Sequence, residues 1–176
     1  MLEAAGLAGL QFKFIYTNNA YGERFNQWAE ATAAMLKDLG VRPTIVVQDY
    51  QREYISANGT FFGNFEGVFF GLQTPFTDPH DFLFNMAHSA SRRNHGGIND
   101  PQLDPMIEKE GATLDEANRV KLVREIQRYM AEKMYYAPGF VGPAYTGVQP
   151  WVRGFKWSAT YGVGTESFAE VWLDRG

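Results

Sequence analysis

The chain is 176 residues long, 45% hydrophobic and 20% charged, which suits one domain with a substantial core. The net charge is −4 with basic residues scattered rather than striped, so the positive field a nucleic-acid binder needs is missing. No stretch reaches the roughly 20 consecutive apolar residues that span a bilayer, and without cysteine there are no disulfides, thiolate metal sites or Cys nucleophiles.

Met1 to Gly6 reads as the last turn of a helix closed by a glycine, a hint that residues precede Met1. Gln11 to Thr17 alternates around Phe12, Phe14 and Tyr16 and predicts a strand. Asn18 and Asn19 offer N-caps to a helix carrying Phe25, Trp28, Ala29, Thr32, Met35, Leu36 and Leu39 on one face, with Gly40 as its stop. Val41 to Gln48 predicts a second strand, which Pro43 assigns to an edge. Strand, helix and strand in that order make a crossover unit, and hence a parallel pair.

Gln51 to Ala57 reads as a brief helix, and Gly67 to Gln73 as a buried strand. Asp78-Pro79 opens a helix with Phe82, Leu83 and Met86 inward: Asp caps it, and Pro occupies the position where its missing N–H costs nothing. Ser89 to Asn99 is a polar loop. Asp100-Pro101 repeats the cap-and-proline start, with Leu103, Met106 and Ile107 facing inward. Thr113 to Glu116 forms a capping box for a helix running to about Lys133, whose apolar face carries Ala117, Val120, Val123, Ile126, Met130 and Met134. The remainder, rich in Gly, reads as loops and short strands.

Catalytic signatures fail. There is no G-x-S-x-G, no Walker or dinucleotide glycine pattern, and no grouping of acid, base and oxyanion donors. His80, His88 and His95, with Asp78 and Asp81, are the one set with metal-ligating chemistry; their spacing departs from the helical His-Glu pattern, and surface histidines are the preferred reading. The turn Phe70-Gly71-Leu72-Gln73-Thr74-Pro75 leaves a strand and enters a capped helix, where open α/β sheets place ligands. The loop Arg92-Arg93-Asn94-His95-Gly96-Gly97 offers donors for carboxylates or sugar hydroxyls, Arg93, Asn94 and His95 foremost. A plain connection explains the turn, and a solvated loop the donors, as well as a ligand site does.

The order of these pieces resembles the C-terminal lobe of family 5 extracellular solute-binding proteins, the dipeptide, oligopeptide and nickel-binding type. The resemblance is carried by Leu39-Gly40-Val41, Gly63-Asn64-Phe65-Glu66, Asp78-Pro79-His80-Asp81-Phe82-Leu83, the run from Asn94 through Asp104, the helix with Asp115, Arg119, Leu122, Ile126-Gln127 and Glu132, and Val152-Arg153-Gly154. It implies an α/β fold: a type II periplasmic-binding-protein-like lobe with a mixed sheet flanked by helices. Residues 1–166 would form that lobe, and residues 167–176 a poorly anchored tail returning to an N-terminal lobe that lies outside this sequence.

It further implies a non-enzymatic, cofactor-free component of an ABC importer. Such a protein is periplasmic or extracellular, lipid-anchored through the missing region, and encloses an oligopeptide, sugar or chelated metal for delivery to the permease. The ligand residues implied are Phe70, Gly71, Leu72, Gln73, Thr74, Pro75, Arg93, Asn94 and His95. Peptide-binding members place an Asp where this chain has Pro75 and a Trp where it has Leu72, which speaks against selection of a free peptide amine and toward a neutral polar ligand. The alternatives are a ligand-sensing module of a regulator with the same fold and a metal-assisted hydrolase built on the three histidines.

Overall fold

The computed structural model describes residues 2–73, 76–139, 145–157 and 168–174. It opens on a helix-end motif: the Leu7 N–H reaches the Leu2 carbonyl (2.8 Å) and the Gly6 N–H reaches Glu3 (3.0 Å), with Gly6 at φ 70°. These are the crossed hydrogen bonds that close helices on a left-handed residue, as the sequence predicts.

Strand β1 (Gln11–Thr17), helix α1 (Glu23–Asp38) and strand β2 (Arg42–Gln48) form the expected crossover, with β1 and β2 parallel. The register sets Phe12 beside Pro43, Phe14 beside Ile45 and Tyr16 beside Val47. One sheet face therefore carries all six side chains, and α1 lies across it. Phe25, Ala29 and Ala33, four residues apart, form the buried stripe of α1, packed with Phe14 and Tyr16; Trp28, Leu36 and Phe70 close the margins. Each fully buried large side chain contributes about 1.5–3 kcal/mol.

Two expectations fail on α1. Asn18 and Asn19 do not cap it. The N-cap is Gly22, at φ 82° and without a side-chain bond; the Asn18 carbonyl accepts from Asn26, and the Asn19 side chain binds Asp49 and the Tyr50 N–H. Met35 and Leu39 are not inward either, at 66% and 69% exposed, because the small residues Ala29 and Ala33 let the helix sit close to the sheet along a different line. Its end is as expected: Val41 N–H to Leu36 O (3.2 Å) and Gly40 N–H to Lys37 O (2.9 Å), with Gly40 at φ 87°.

Beyond β2, Asp49 caps a single π-helical turn, Tyr50–Tyr54, and a 3₁₀ turn follows at Thr60–Phe62. These cover the other sheet face: Tyr54 is buried and stacks on Phe69 at 5.1 Å, while Thr60 donates to Gln48 (2.7 Å). Strand β3 is two residues, Val68–Phe69, rather than the buried run Gly67 to Gln73, and Val68 is exposed. Gly67, at φ 101°, lies so close to the Lys13 backbone that a Cβ would overlap it. The chain thus enters β3 through a sharp turn and leaves after one further bond, Phe70 N–H to Ile15 O at 2.8 Å. The three described strands of this sheet have the order β2-β1-β3 and pair in parallel.

Helices α2 (Pro79–Ala87), α3 (Leu103–Gly111) and α4 (Glu116–Lys133) build a second core from Leu83, Met86, Ala87, Ile98, Leu103, Ile107 and Ile126. Asp78 caps α2 as predicted, accepting from His80 N–H at 2.7 Å. Asp100 caps the turn before α3, accepting from Gln102 N–H (2.8 Å), and the helix itself starts at Leu103. The cap of α4 is Asp115, accepting from Asn118 N–H at 2.9 Å, and not Thr113, whose hydroxyl donates to Lys109 O instead. Met134 does not fill the core; it is 68% exposed and ends α4 in the left-handed conformation, φ 53°. A two-stranded antiparallel ladder, β4 (Val152–Arg153) with β5 (Trp172–Leu173), joins the tail to the segment before it. The Arg153–Asp174 and Lys156–Glu170 pairs support this ladder.

Candidate functional site

The three histidines go to three separate places. His80 Nδ1 lies 2.8 Å from the fully buried Glu110, whose other oxygen accepts from Arg119 Nε at 2.6 Å; Arg119 also grips Asp78 with both terminal nitrogens. The Arg119 hydrogen bonds, with the His80 N–H, hold the Asp78 carboxyl below the ordinary range, and Asp78 followed by Glu110 raise the guanidinium. This cluster ties the start of α2, the end of α3 and the start of α4 into one corner. A Cβ on Gly111 would overlap the His80 ring, so the pairing also fixes a glycine there.

His88 is buried and stacks on Phe84 at 4.4 Å. Its Nδ1 accepts from the Ala90 N–H (3.1 Å), which leaves Nε2 as the proton carrier toward Glu108 (3.4 Å). His95 gives its Nδ1 proton to the Phe61 carbonyl. Burial lowers its pKa, against the opposing hydrogen bond to Phe61, and the nearby Arg93 charge adds to the lowering. Among the described residues no group of three or more His, Cys, Asp or Glu side chains is arranged to hold a metal ion.

The predicted ligand residues divide. Phe70 belongs to the sheet core, its ring 5.5 Å from Phe14, 5.4 Å from Phe25 and 4.7 Å from Trp28. Gly71 lies so close to the Phe69 ring that a Cβ would overlap it. Leu72 is exposed and Gln73 half-buried. Thr74 and Pro75 lie outside the described residues. Phe76, the next described residue, meets the loop: the Arg93 guanidinium lies 5.8 Å from its ring centre and 6.0 Å from that of Phe61. The far end of the turn and the polar loop therefore come together, with Phe61 as the third wall.

This loop is not loosely solvated. The Asn94 amide donates to His88 O (3.3 Å) and Ile98 O (2.6 Å) and accepts from Ile98 N–H (3.0 Å). Ser91 Oγ accepts from Arg93 N–H (3.1 Å) while donating to Asn85 O (3.2 Å). Asn94 and His95 thus hold the loop, and Arg93 is what the loop presents. Phe61, Phe62 and Phe76 went unselected in the sequence, where the doublet Phe61-Phe62 was the available signal; Arg92, of the predicted loop, lies 5.8 Å from the Phe62 ring centre. Open hollows of about 460 and 500 Å³ lie elsewhere, at the start of β2 and beside the Arg119 cluster, and neither includes a residue of the turn or the loop.

No family model and no curated protein matches the chain. Solved structures do. The periplasmic binding protein DppA of Helicobacter pylori, in complex with the peptide STSA, matches 99% of this chain at 21% identity and a TM-score of 0.66. A putative peptide binding protein AppA of Clostridium difficile matches 98% at 16% and 0.71, and the murein tripeptide binding protein MppA of Escherichia coli matches 88% at 23% and 0.69. The fold is that of a type II periplasmic-binding-protein lobe. The match covers 33%, 35% and 30% of those three proteins, so this lobe spans about a third of their length. In it, Phe76, just beyond the turn, and Phe61 meet the Arg93 loop, and this corner is the candidate ligand face. No helix among the described residues is long and apolar enough to cross a membrane.

Proposed function

We propose that this chain is one ligand-binding lobe of a solute-binding protein serving an ABC importer. The observation that carries the reading is the match of 98–99% of the chain to about a third of transport receptors such as DppA and AppA. A second lobe closes over the turn at Gly71–Gln73 and the loop at Arg93–His95, and the closed pair hands its cargo to the permease. Such a receptor works outside the cytoplasmic membrane, held there by a leader or lipid anchor carried with the other lobe. The chemistry of the described face is aromatic walls with a few polar groups, the composition of a site that binds and releases rather than transforms. Pro75, at the position where peptide-binding relatives place an Asp, cannot make the charge-assisted bond that selects an ammonium group. The ligand is accordingly a polar solute not anchored at this lobe by a free amine.

Calorimetry on a protein containing both lobes, against the 176-residue chain alone, tests this with di- to pentapeptides and their N-acetylated forms. The two-lobed protein is expected to bind at least about tenfold more tightly, since half the enclosing surface is absent from the chain. N-acetylation is expected to leave affinity unchanged. Equal affinity for both proteins overturns the two-lobed reading, and strict dependence on the free amine overturns the ligand assignment.

A further inference from the structure

We infer that Arg93 is an oxyanion receptor on the ligand face, so that the solute carries a carboxylate or phosphate group that docks on this guanidinium. The inference rests on the ligand-face reading above and adds the charge of the cargo.

Arg119 and Arg153 each hold a carboxylate. Among the described residues Arg93 has no carboxylate partner; its described neighbours are the rings of Phe61 and Phe76. Ring contacts at this distance occupy none of its N–H donors with a hydrogen-bond acceptor, and the parallel donors of a guanidinium match the two oxygens of a carboxylate or phosphate.

The second observation is how Arg93 is held. Its own N–H is fixed to Ser91 Oγ, Asn94 staples the loop to His88 and Ile98, and His95 is bonded to the carbonyl of the same Phe61 that walls the guanidinium. These bonds fix the loop backbone from which the exposed Arg93 side chain extends, which lowers the entropy lost in ordering the loop on binding. The third is electrostatic. A chain of net charge −4 repels anions on average, so an anionic solute needs a local cation. His95 does not supply it, because its proton is committed to the Phe61 carbonyl and its pKa is lowered.

The test follows the Nε–H signal of Arg93 by nitrogen-15 NMR in the 176-residue chain, titrated with N-acetyl-Ala-Ala, its C-terminal amide and inorganic phosphate. The two peptides differ only in the carboxylate. The acid is expected to shift the Arg93 signal saturably and to bind about tenfold or more tightly than the amide. Arg93→Gln abolishes that difference, Arg93→Lys keeps part of it, and Arg124→Gln, on the exposed face of α4, leaves it intact. A response to phosphate with the acid silent also supports the receptor and assigns it to phosphate esters. The loop is held by Ser91, Asn94 and His95, so Arg93→Gln is expected to keep the wild-type spectrum elsewhere. If both peptides shift the Gly71–Gln73 signals equally while Arg93 is silent, the oxyanion role is overturned and the ligand face stands. If turn and Arg93 are silent to every probe, both are overturned.

Discussion

Asp100 shows how one side chain comes to organise a corner that its neighbours in sequence do not reveal. Its carboxylate accepts from Gln102 N–H (2.8 Å), Tyr129 Oη (2.7 Å) and Tyr135 Oη (2.5 Å), joining the start of α3 to the end of α4. The hydrogen bonds from Tyr135 and then Tyr129 hold the carboxyl at about 2 and push the Tyr135 phenol up to about 12. A carboxyl whose folded value lies below its ordinary 3.8 contributes stability that is present above the ordinary value and lost as pH falls toward about 2. Asp100→Asn is therefore expected to flatten the fall in stability between about pH 4 and pH 2, read from urea midpoints across that range. The same substitution returns the Tyr135 ionisation toward 10 in an alkaline absorbance titration. A variant with the wild-type acid profile removes Asp100 from this role. From sequence Asp100 was legible as a cap, which it is for the turn before α3; the two tyrosines, 29 and 35 residues away, were not, because nothing local links them.

At the scale of elements, the features read correctly from sequence are those fixed by backbone chemistry within one turn: the Gly40 stop, the Asp78-Pro79 start and the strand pattern from Phe12 to Tyr16. Those misread had a competing partner far along the chain. Asn19 was a sound cap candidate until Asp49 and Tyr50, some 30 residues on, took its side chain. Thr113 lost the α4 cap to Asp115 because its hydroxyl turned back to the last turn of α3. The two assignments make different predictions. Asp115→Ala leaves the first-turn N–H of Asn118 unbonded and is expected to cost about 1 kcal/mol. Thr113→Ala removes one bond to an exposed carbonyl and is expected to cost less, within about 0.5 kcal/mol. Urea unfolding of the two variants decides the order, and a larger loss from Thr113→Ala returns the cap to the place the sequence suggested. Strand β3 failed for a related reason: the apolar run Gly67 to Gln73 has strand composition, yet Gly67 at φ 101° against Lys13 and the early departure of Phe70 into the α1 core leave two residues in the ladder.

At the scale of the molecule, the sheet core and the three-helix core were each visible as periodic apolar faces, while the place where they meet was not. Phe61, Phe76, Arg93 and His95 come from three segments, and only folding shows that they share one corner. The same scale governs what the chain does with its uncovered apolar surface. The β4–β5 ladder is two residues long on each strand, too short to be stable without support. Trp151 (49%), Phe168 (57%) and Trp172 (58%) stand open on or beside it, and these rings are large enough to drive association. In the two-lobed receptor proposed above, a second lobe would cover that surface. For the 176-residue chain alone the available partner is another copy, so sedimentation equilibrium is expected to show an average mass rising with concentration. Replacing both Trp151 and Trp172 by Ser is expected to suppress the rise and leave the helical circular dichroism unchanged, because neither ring belongs to the two cores. A wild-type chain that stays monomeric throughout would mean that this aromatic surface is satisfied within the chain, and the case for a second lobe covering the ladder would go with it.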